Sequence, residues 1–317
     1  MVKKLLTATA VAGTAYAGLG FLLFYEVMGR NARIPKYATA IFDKKHSDPK
    51  PSTEHNPVDD YVEWFRKNDR EKFELTNAEG NKICAFLMPA DEPSDKYIVC
   101  AHGYRSSGQG DFRFIGKFFH DQGYNVFFVD HQALGQSEGD FITFGHREAR
   151  DLFQWLDFMV DRFGKDIQIA LYGISMGSGT VMYMSDNEKL PENVKCIIAD
   201  CGFTDLNELF SFVLQTVSVP SKPLIFMANQ FNKLFAKWDF NNIRPIESVK
   251  NAKVPMLFIH GEKDDFVPTY MAGKLYNACT SEKDYLIVPN AGHAESYQKG
   301  HELYEEKVKE FFGKYFK

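Results

Sequence analysis

The chain alternates short apolar runs with longer amphipathic segments. One amphipathic segment, GHREARDLFQWLDFMVDRFG, begins at Gly145 and repeats apolar residues such as Leu152 and Leu156 at helical spacing. Runs that are apolar on both faces and separated by helices are typical of a parallel sheet covered on both sides. We therefore predict the α/β class, with a mostly parallel, doubly wound sheet. The predicted buried strands are KICAFLM (82–88), YIVCAHG (97–103), NVFFVD (125–130), IQIALYG (167–173), VKCIIAD (194–200), VPMLFIHG (254–261) and DYLIVPN (284–290).

One segment, residues 203–250, breaks this alternation. It is too long for an ordinary connection between two strands, and it is rich in aromatic and leucine side chains. We predict that it forms a helical cap inserted over the sheet. Most of its apolar residues are expected to pack the cap onto the sheet, and a few to line a pocket. The large apolar residues of the predicted cap are Phe203, Leu209, Phe210, Phe212, Leu214, Phe226, Phe231, Phe235 and Trp238.

The N-terminal segment, residues 1–30, contains an uncharged run from Leu5 to Tyr25 that is long enough to cross a bilayer as a helix. We predict an uncleaved membrane anchor. The alternatives are a cleaved signal peptide, with Ala15-Tyr16-Ala17 as the cleavage site, and a peripheral or buried helix. Lys3 and Lys4 before the run and Arg30, Arg33 and Lys36 after it favour opposite orientations.

We expect the domain that follows this segment to be extracytoplasmic, or secreted if the segment is cleaved. Residues 31–60 contain prolines and mixed charges with little periodicity, so they are predicted to form a linker. The folded domain is predicted to cover 61–317.

Composition and charge narrow the range of partners and cofactors. The net charge is −5 and the isoelectric point is near 6.0, so the chain lacks the basic surface that nucleic acids require. The five cysteines form no CxxC pair, which indicates neither a zinc site nor a disulfide framework, although a single disulfide stays open. We expect no nucleic-acid partner, no metal and no organic cofactor.

The pentapeptide GISMG places Ser175 between a strand-like run and a segment that can form a helix. Glycines two residues away on either side allow the tight turn of a nucleophile elbow, in which the serine hydroxyl stands above the sheet edge. A phosphate-binding loop is the competing interpretation. It lacks support, because no GKS, GKT or GxGxxG pattern is present.

A nucleophilic serine needs a histidine base and an acid that orients it, and in this elbow the acid and then the histidine follow the serine along the chain. Asp264 and Asp265 follow one later strand, and His293 follows the next. Asp200, at the end of an earlier strand, is an alternative acid.

Four motifs in this order resemble the α/β-hydrolase superfamily, in particular its bacterial serine-aminopeptidase-like and monoacylglycerol-lipase-like branch. They are AHGYRSSG (101–108), DHQALGQSEG (130–139), GISMG (173–177), and HGEKDDFVP followed by AGH. The resemblance implies an α/β-hydrolase fold and favours Asp264 over Asp265 as the acid. It also implies an oxyanion hole made by the backbone amides of Tyr104 and Met176. Gln132 and Ala133 depart from the family's Arg and Gly in a structural loop. His102 and His260 are expected to be structural.

These residues predict a serine hydrolase that cleaves carboxylic esters through an acyl-enzyme on Ser175. The apolar cap favours an apolar acyl group, and a membrane segment would give access to lipid-derived esters. The resemblance also permits a serine aminopeptidase-like peptidase, for which Glu262, Asp265 and Glu295 could bind a free amine. A non-catalytic binding protein on the same fold is the third possibility.

Overall fold

The computed structural model describes residues 2–32, 57–216 and 220–316. Most of the predicted linker, residues 33–56, lies outside the described residues. An eight-stranded sheet with strand order β1-β2-β4-β3-β5-β6-β7-β8 organises the rest. The strands are β1 (Glu71–Thr76), β2 (Lys82–Met88), β3 (Lys96–Ala101), β4 (Asn125–Asp130), β5 (Gln168–Ile174), β6 (Val194–Asp200), β7 (Met256–Gly261) and β8 (Lys283–Val288).

The sheet is mostly parallel. Strands β3 to β8 run parallel to their neighbours, whereas β2 pairs antiparallel with both β1 and β4. All predicted strands are present, and the predicted α/β class with a doubly wound sheet is confirmed. Strand β1 was not predicted: it lies at the sheet edge, it is only partly buried, and charged residues interrupt its apolar positions.

Helices cover both faces of the sheet and enclose two apolar cores. Phe65, Phe119 and Phe312 pack into the core on one face, and Leu152, Trp155 and Leu275 pack into the other. The helices are α1 (Val2–Met28), α2 (Pro57–Lys67), α3 (Gly108–Asp111), α4 (Gly116–Asp121), α5 (His146–Phe163), α6 (Met176–Tyr183), α7 (Leu206–Thr216), α8 (Ser221–Phe235), α9 (Pro245–Ser248), α10 (Tyr270–Ala278), α11 (Ser296–Lys299) and α12 (His301–Tyr315).

The predicted helical cap is confirmed between β6 and β7. It consists of α7 and α8, followed by a 3₁₀ turn at Phe240–Asn242 and the short helix α9. The side chains of α7 and α8 join those of the elbow region in a third apolar cluster, which includes Phe203, Leu209 and Ile225. This cluster lies above the sheet edge that carries the predicted catalytic residues.

Helix α1 packs against cap helix α8. Phe24 and Met28 are buried in the third cluster, and the ring of Phe21 contacts that of Phe231 edge to face at 5.4 Å. Gly20 is required at the crossing, because a Cβ there would overlap the side chain of Met227. The end of α1 is bonded to the hydrolase domain as well: the carbonyl of Met28 accepts a hydrogen bond from the amide of Ile142 at 2.7 Å.

Among the described residues, no helix combines the length and the apolar character that are needed to span a bilayer. The predicted transmembrane anchor is therefore not supported and stays a prediction. The predicted division into 1–30, 31–60 and 61–317 stays a prediction as well, although helix α2 begins at Pro57 and the last turns of α1 pack on the cap.

Candidate active site

Ser175 occupies a strained turn between strand β5 and helix α6. Its backbone has φ 54° and ψ −112°, a conformation that non-glycine residues rarely adopt. Such strain is typical of functional positions, where the surrounding packing enforces it. The turn places the serine hydroxyl at the carboxyl edge of the sheet, directly before the N-terminus of α6, where the helix dipole favours negative charge.

Two glycines make this turn possible. A Cβ at Gly173 would overlap the backbone of Gly177, and a Cβ at Gly177 would overlap the carbonyl group of Ala101 on strand β3. Both positions thus need glycine because the backbone itself comes close. The GxSxG spacing is explained by contacts within the turn and with the neighbouring strand.

The structure brings Ser175, His293 and Asp264 together. Nε2 of His293 lies 2.8 Å from the Ser175 hydroxyl oxygen, and Nδ1 of His293 lies 2.7 Å from Oδ2 of Asp264. All three residues are buried. Hydrogen bonds in this order let the histidine accept the serine proton through Nε2 while Nδ1–H stays bonded to the carboxylate.

Asp264 is held in an ionised state by its surroundings. Its Oδ1 accepts hydrogen bonds from the amides of Phe266 and Val267 at 3.0 and 2.9 Å, and Nε2 of His260 lies 3.2 Å from its Oδ2. Burial raises the pKa of the carboxyl group, but the charges and hydrogen bonds of His293 and His260 outweigh burial and hold the pKa below its ordinary value. Asp264 therefore carries a negative charge at neutral pH.

The other acid candidates are placed elsewhere. Asp265 is exposed. Asp200 is buried and accepts hydrogen bonds from Ser296 at 3.2 Å and from Tyr304 at 3.0 Å, and burial raises its pKa to about 6. The histidine ring is oriented by Asp264, as the family pattern implies.

The two predicted oxyanion residues flank Ser175. Met176 begins helix α6, and the first N–H groups of a helix have no acceptor within the helix. On the other side, Gly103 comes so close that a Cβ there would lie 3.4 Å from Cβ of Ser175, which places the turn containing Tyr104 beside the nucleophile. The role of both amides in holding an oxyanion stays a prediction.

The buried histidines outside the triad have structural contacts. His102 donates from Nδ1 to the carbonyl of Gly103 at 2.7 Å and accepts at Nε2 from the amide of His131 at 3.0 Å. Nε2 of His260 bonds the carbonyl of Val267 at 2.8 Å. These rings hold the two loops on which the predicted oxyanion amide and the acid lie.

Cys201 lies behind the triad, with its sulfur within 4.8 Å of ligand atoms of Asp264 and His293. Burial raises the pKa of this thiol well above its ordinary value, so the thiolate form that binds metals is disfavoured. The carboxylate and the imidazole are already bonded to each other. This arrangement fits a proton-transfer triad better than a metal site.

An apolar cavity of about 210 Å³ opens at Ser175 between the sheet edge, the cap and helix α1. Of the cap residues in the predicted set, Phe203, Leu209, Phe210 and Leu214 line it, whereas Phe226 and Phe235 are exposed. The remaining wall was not predicted, in particular the contribution of α1. Its lining residues also include Leu23, Phe24, Glu26, Val27, Met28, Tyr104, Phe144, Met176, Val213, Ala228, Phe240 and Phe266.

Helix α1 is joined to the loop beside the nucleophile. The Tyr104 hydroxyl donates to the carbonyl of Val27 at 2.8 Å, and Nη2 of Arg105 donates to the carbonyls of Glu26 and Gly29 at 2.7 and 3.1 Å. The positive charge of Arg105 is favourable here, because the C-terminus of a helix carries partial negative charge. The loop that is predicted to supply an oxyanion amide is thus bonded to α1 through side chains.

Comparison with known proteins agrees with this geometry. Residues 111–317, more than half of the chain, match the model of the prolyl oligopeptidase family. The chain belongs to the prolyl oligopeptidase family. The resemblance to the α/β-hydrolase superfamily is confirmed, and this member of the prolyl oligopeptidase family is an α/β-hydrolase enzyme.

Individual relatives of this prolyl oligopeptidase family member are distant. The uncharacterized protein YqkD of Bacillus subtilis is 26% identical over 314 residues, which cover 98% of this chain and 97% of that protein. The lysophosphatidylserine lipase ABHD12 of Xenopus tropicalis is 25% identical over 209 residues, which cover 60% of this chain and 49% of the lipase. The chain thus spans about half the length of this lipase.

A solved structure shows the same fold. The esterase Pf2001 of Pyrococcus furiosus superimposes with a TM-score of 0.63 at 21% sequence identity, covering 83% of this chain and 96% of the esterase. At this identity the similarity extends to the fold alone. Substrate choice must therefore be argued from the cavity of this chain.

Proposed function

We propose that the protein hydrolyses carboxylic esters that carry an apolar acyl group, through an acyl-enzyme on Ser175. The observation that carries this proposal is the apolar cavity that opens at the nucleophile of a hydrogen-bonded serine, histidine and aspartate. Aromatic and aliphatic side chains make up most of the cavity wall, which favours an acyl chain.

The contacts support a reaction in two steps. His293 accepts the proton of Ser175 through Nε2 as the serine oxygen attacks the ester carbonyl, and it then donates this proton to the leaving alcohol. Water next attacks the acyl-enzyme while His293 takes one of its protons, and His293 then returns this proton to the Ser175 oxygen as the bond to the acyl group breaks and the carboxylic acid leaves. Asp264 stabilises the imidazolium in both steps, and the amides of Met176 and Tyr104 would bind the oxyanion.

A lipid-derived ester would place its apolar chain in this cavity, and the name of the related lipase supports this substrate class. We expect kcat/KM for p-nitrophenyl esters to rise with acyl length until the cavity is filled, because each buried methylene adds about 0.8 kcal/mol, or roughly threefold to fourfold per carbon. Steady-state kinetics from acetate to decanoate measures this. Activity that is highest on acetate and falls with every added carbon would contradict the proposal.

Phe210 is the residue with which to test the wall, since it lines the cavity from α7. We expect Phe210→Ala to move the optimum to longer acyl chains. Phe163 is the matched control, because this half-buried phenylalanine packs at the far end of α5 against Tyr97. In Phe163→Ala the chain-length optimum should stay at the wild-type value.

A peptidase that removes N-terminal residues is the second candidate, and the family match is the observation that favours it. The acidic residues considered for binding the amine do not line the cavity: Glu262 and Asp265 are exposed, and Glu295 bonds the amide of Gly292. Aminoacyl amides tested beside the ester series separate the two activities. A preference for amides over every ester would favour the peptidase.

The third possibility, a binding protein without activity, is tested directly by a fluorophosphonate probe, which reacts with activated serines. We expect wild-type protein to be labelled and heat-denatured protein to stay unlabelled. Folded wild-type protein that fails to react would contradict the whole serine-hydrolase assignment.

We also propose that the protein rests on a lipid surface through α1 and α8. Both helices expose apolar side chains beside the cavity: Leu19 and Leu22 on α1, and Phe226 and Leu234 on α8. The apolar N-terminal run and the basic residues Lys3 and Lys4 add to the attraction for an anionic bilayer. The predicted extracytoplasmic location, or secretion after cleavage, stays a prediction.

Binding to vesicles tests this surface. In Phe226→Ser/Leu234→Ser we expect about tenfold weaker co-sedimentation with vesicles of phosphatidylcholine and phosphatidylglycerol, since two exposed apolar side chains that would enter the bilayer surface are removed. Leu303→Ser on α12 is the control, because this leucine is also exposed but does not belong to α1 or α8, which form the proposed lipid-binding surface. Equal losses in both variants, or no loss in the double variant, would contradict the proposal.

A further inference from the structure

Glu26 introduces a carboxylate into the wall of the apolar cavity. Among the described residues that line the cavity, it alone has an acidic or basic side chain. It lies on the last turns of α1, next to Val27 and Met28, which line the same cavity. A charged group in an apolar wall is costly unless it has a partner, so its presence needs an explanation.

The carboxylate has an unused acceptor. Oε2 of Glu26 is buried and accepts no hydrogen bond from the part of the chain that the structure describes. The nearby cation, Arg105, directs Nη2 to the backbone carbonyls of Glu26 and Gly29 and Nε to the Tyr104 hydroxyl. None of these contacts uses Oε2, so this acceptor has no hydrogen-bond partner among the described residues.

The position of Glu26 on α1 is also unfavourable for a purely structural role. The C-terminal end of a helix carries partial negative charge, which repels a carboxylate in the last turn. Glu26 lies at the opposite end of α1 from the N–H groups that a carboxylate could cap, and its buried Oε2 has no hydrogen-bond partner among the described residues. A ligand that supplies positive charge would give the carboxylate a partner and would offset its repulsion by the C-terminus of α1.

We propose that Glu26 binds a primary ammonium group of the substrate while Ser175 attacks the ester. An ammonium donates hydrogen bonds to Oε2 and neutralises the carboxylate. The substrate class is therefore an ester with an apolar chain and one amine. This inference rests on the proposed ester hydrolysis and adds its specificity.

Two pairs of esters test the proposal, and in each pair a methyl group replaces the ammonium. One pair places the charge on the acyl side: p-nitrophenyl 6-aminohexanoate and p-nitrophenyl heptanoate. The other places it on the alcohol side: 4-aminobutyl butyrate and pentyl butyrate. We expect wild-type protein to favour the ammonium member of at least one pair by about tenfold or more in kcat/KM, the range of a charge-assisted hydrogen bond.

The Glu26→Gln variant keeps the size of the side chain and removes its charge. We expect the preference ratio to fall to within about twofold of one, whereas Glu302→Gln, an exposed glutamate on α12, should keep the wild-type ratio. No preference in wild type, or a preference that survives in Glu26→Gln, would overturn the proposal. Wild type that labels with fluorophosphonate and hydrolyses neutral esters without preference would leave the proposed function standing and remove the role of Glu26.

A measurement on wild type alone covers the case in which Glu26→Gln does not fold. Hexylammonium and 1-hexanol have similar apolar chains and differ in charge. We expect hexylammonium to protect Ser175 from the fluorophosphonate probe at a concentration at least about tenfold lower than 1-hexanol. Equal protection by the two compounds would overturn the proposal.

Discussion

Replacing Ser175 with alanine is expected to lower kcat for ester hydrolysis by about 10⁴-fold or more and to abolish fluorophosphonate labelling. The alanine removes the hydroxyl oxygen that lies 2.8 Å from Nε2 of His293, so no acyl-enzyme can form at this position. Kinetics with p-nitrophenyl butyrate and gel detection of the probe measure both effects.

Ser281→Ala is the control for this substitution, because Ser281 lies on the loop before β8 and bonds only nearby groups. It should label and turn over at the wild-type rate. Persistent labelling of Ser175→Ala, at the wild-type rate, would show that another residue is the nucleophile and would contradict the assignment of the elbow.

Asp264→Asn is expected to lower kcat by about 10⁴-fold with little change in fold. The asparagine amide would donate where the carboxylate accepts, so the His293 ring would lose the tautomer that leaves Nε2 free to accept the serine proton. The substitution also removes the charge that stabilises the imidazolium. The pH dependence of kcat, together with the thermal midpoint of unfolding, distinguishes this effect from loss of structure.

The neighbouring residue offers a closely matched control. Asp265 has the same side chain one position later but is exposed, so Asp265→Asn should change kcat by less than about twofold. The reverse result, with a large loss in Asp265→Asn and a small one in Asp264→Asn, would mean that the acid was wrongly assigned between the two.

The sheet could be predicted from the sequence because its strands are buried on both faces, which leaves continuous apolar runs. Strand β1 could not, since only Phe73 and Leu75 of EKFELT are partly buried and its other positions are polar or charged. Antiparallel pairing with β2 stabilises β1 as a strand, although its own apolar pattern is weak. The predicted bounds of the buried strands differ from the observed ones by a few residues at most.

The three triad residues could be predicted because each follows a buried strand, and parallel strands end at one sheet edge. The choice of Asp264 over Asp265 came from the family pattern, since both follow the same strand. In the structure the choice follows from burial and from the bonds that His293, His260 and the amides of Phe266 and Val267 make with Asp264.

The position of α1 could not be predicted from its own sequence. The run from Leu5 to Tyr25 is apolar on all sides, so no periodic face marks which residues are buried in the protein. The partner surface, near Met227 on α8, lies some two hundred positions later in the chain. Glu26 is the first charged residue after the apolar run. This change from apolar to charged is the local signal in the sequence that sets Glu26 apart from the apolar residues of the cavity wall.

The segment that carries the hydrolase motifs is shorter than the unit that encloses the apolar cavity, because α1 supplies part of the cavity wall. A recombinant chain begun at residue 61 would keep Ser175, His293 and Asp264 but would lack Phe24 and Met28. Its acyl site would then be an open groove along the cap, with the loop of Tyr104 and Arg105 released from its partners on α1. We therefore expect truncation before expression to change the substrate range, even where Ser175, His293 and Asp264 are intact.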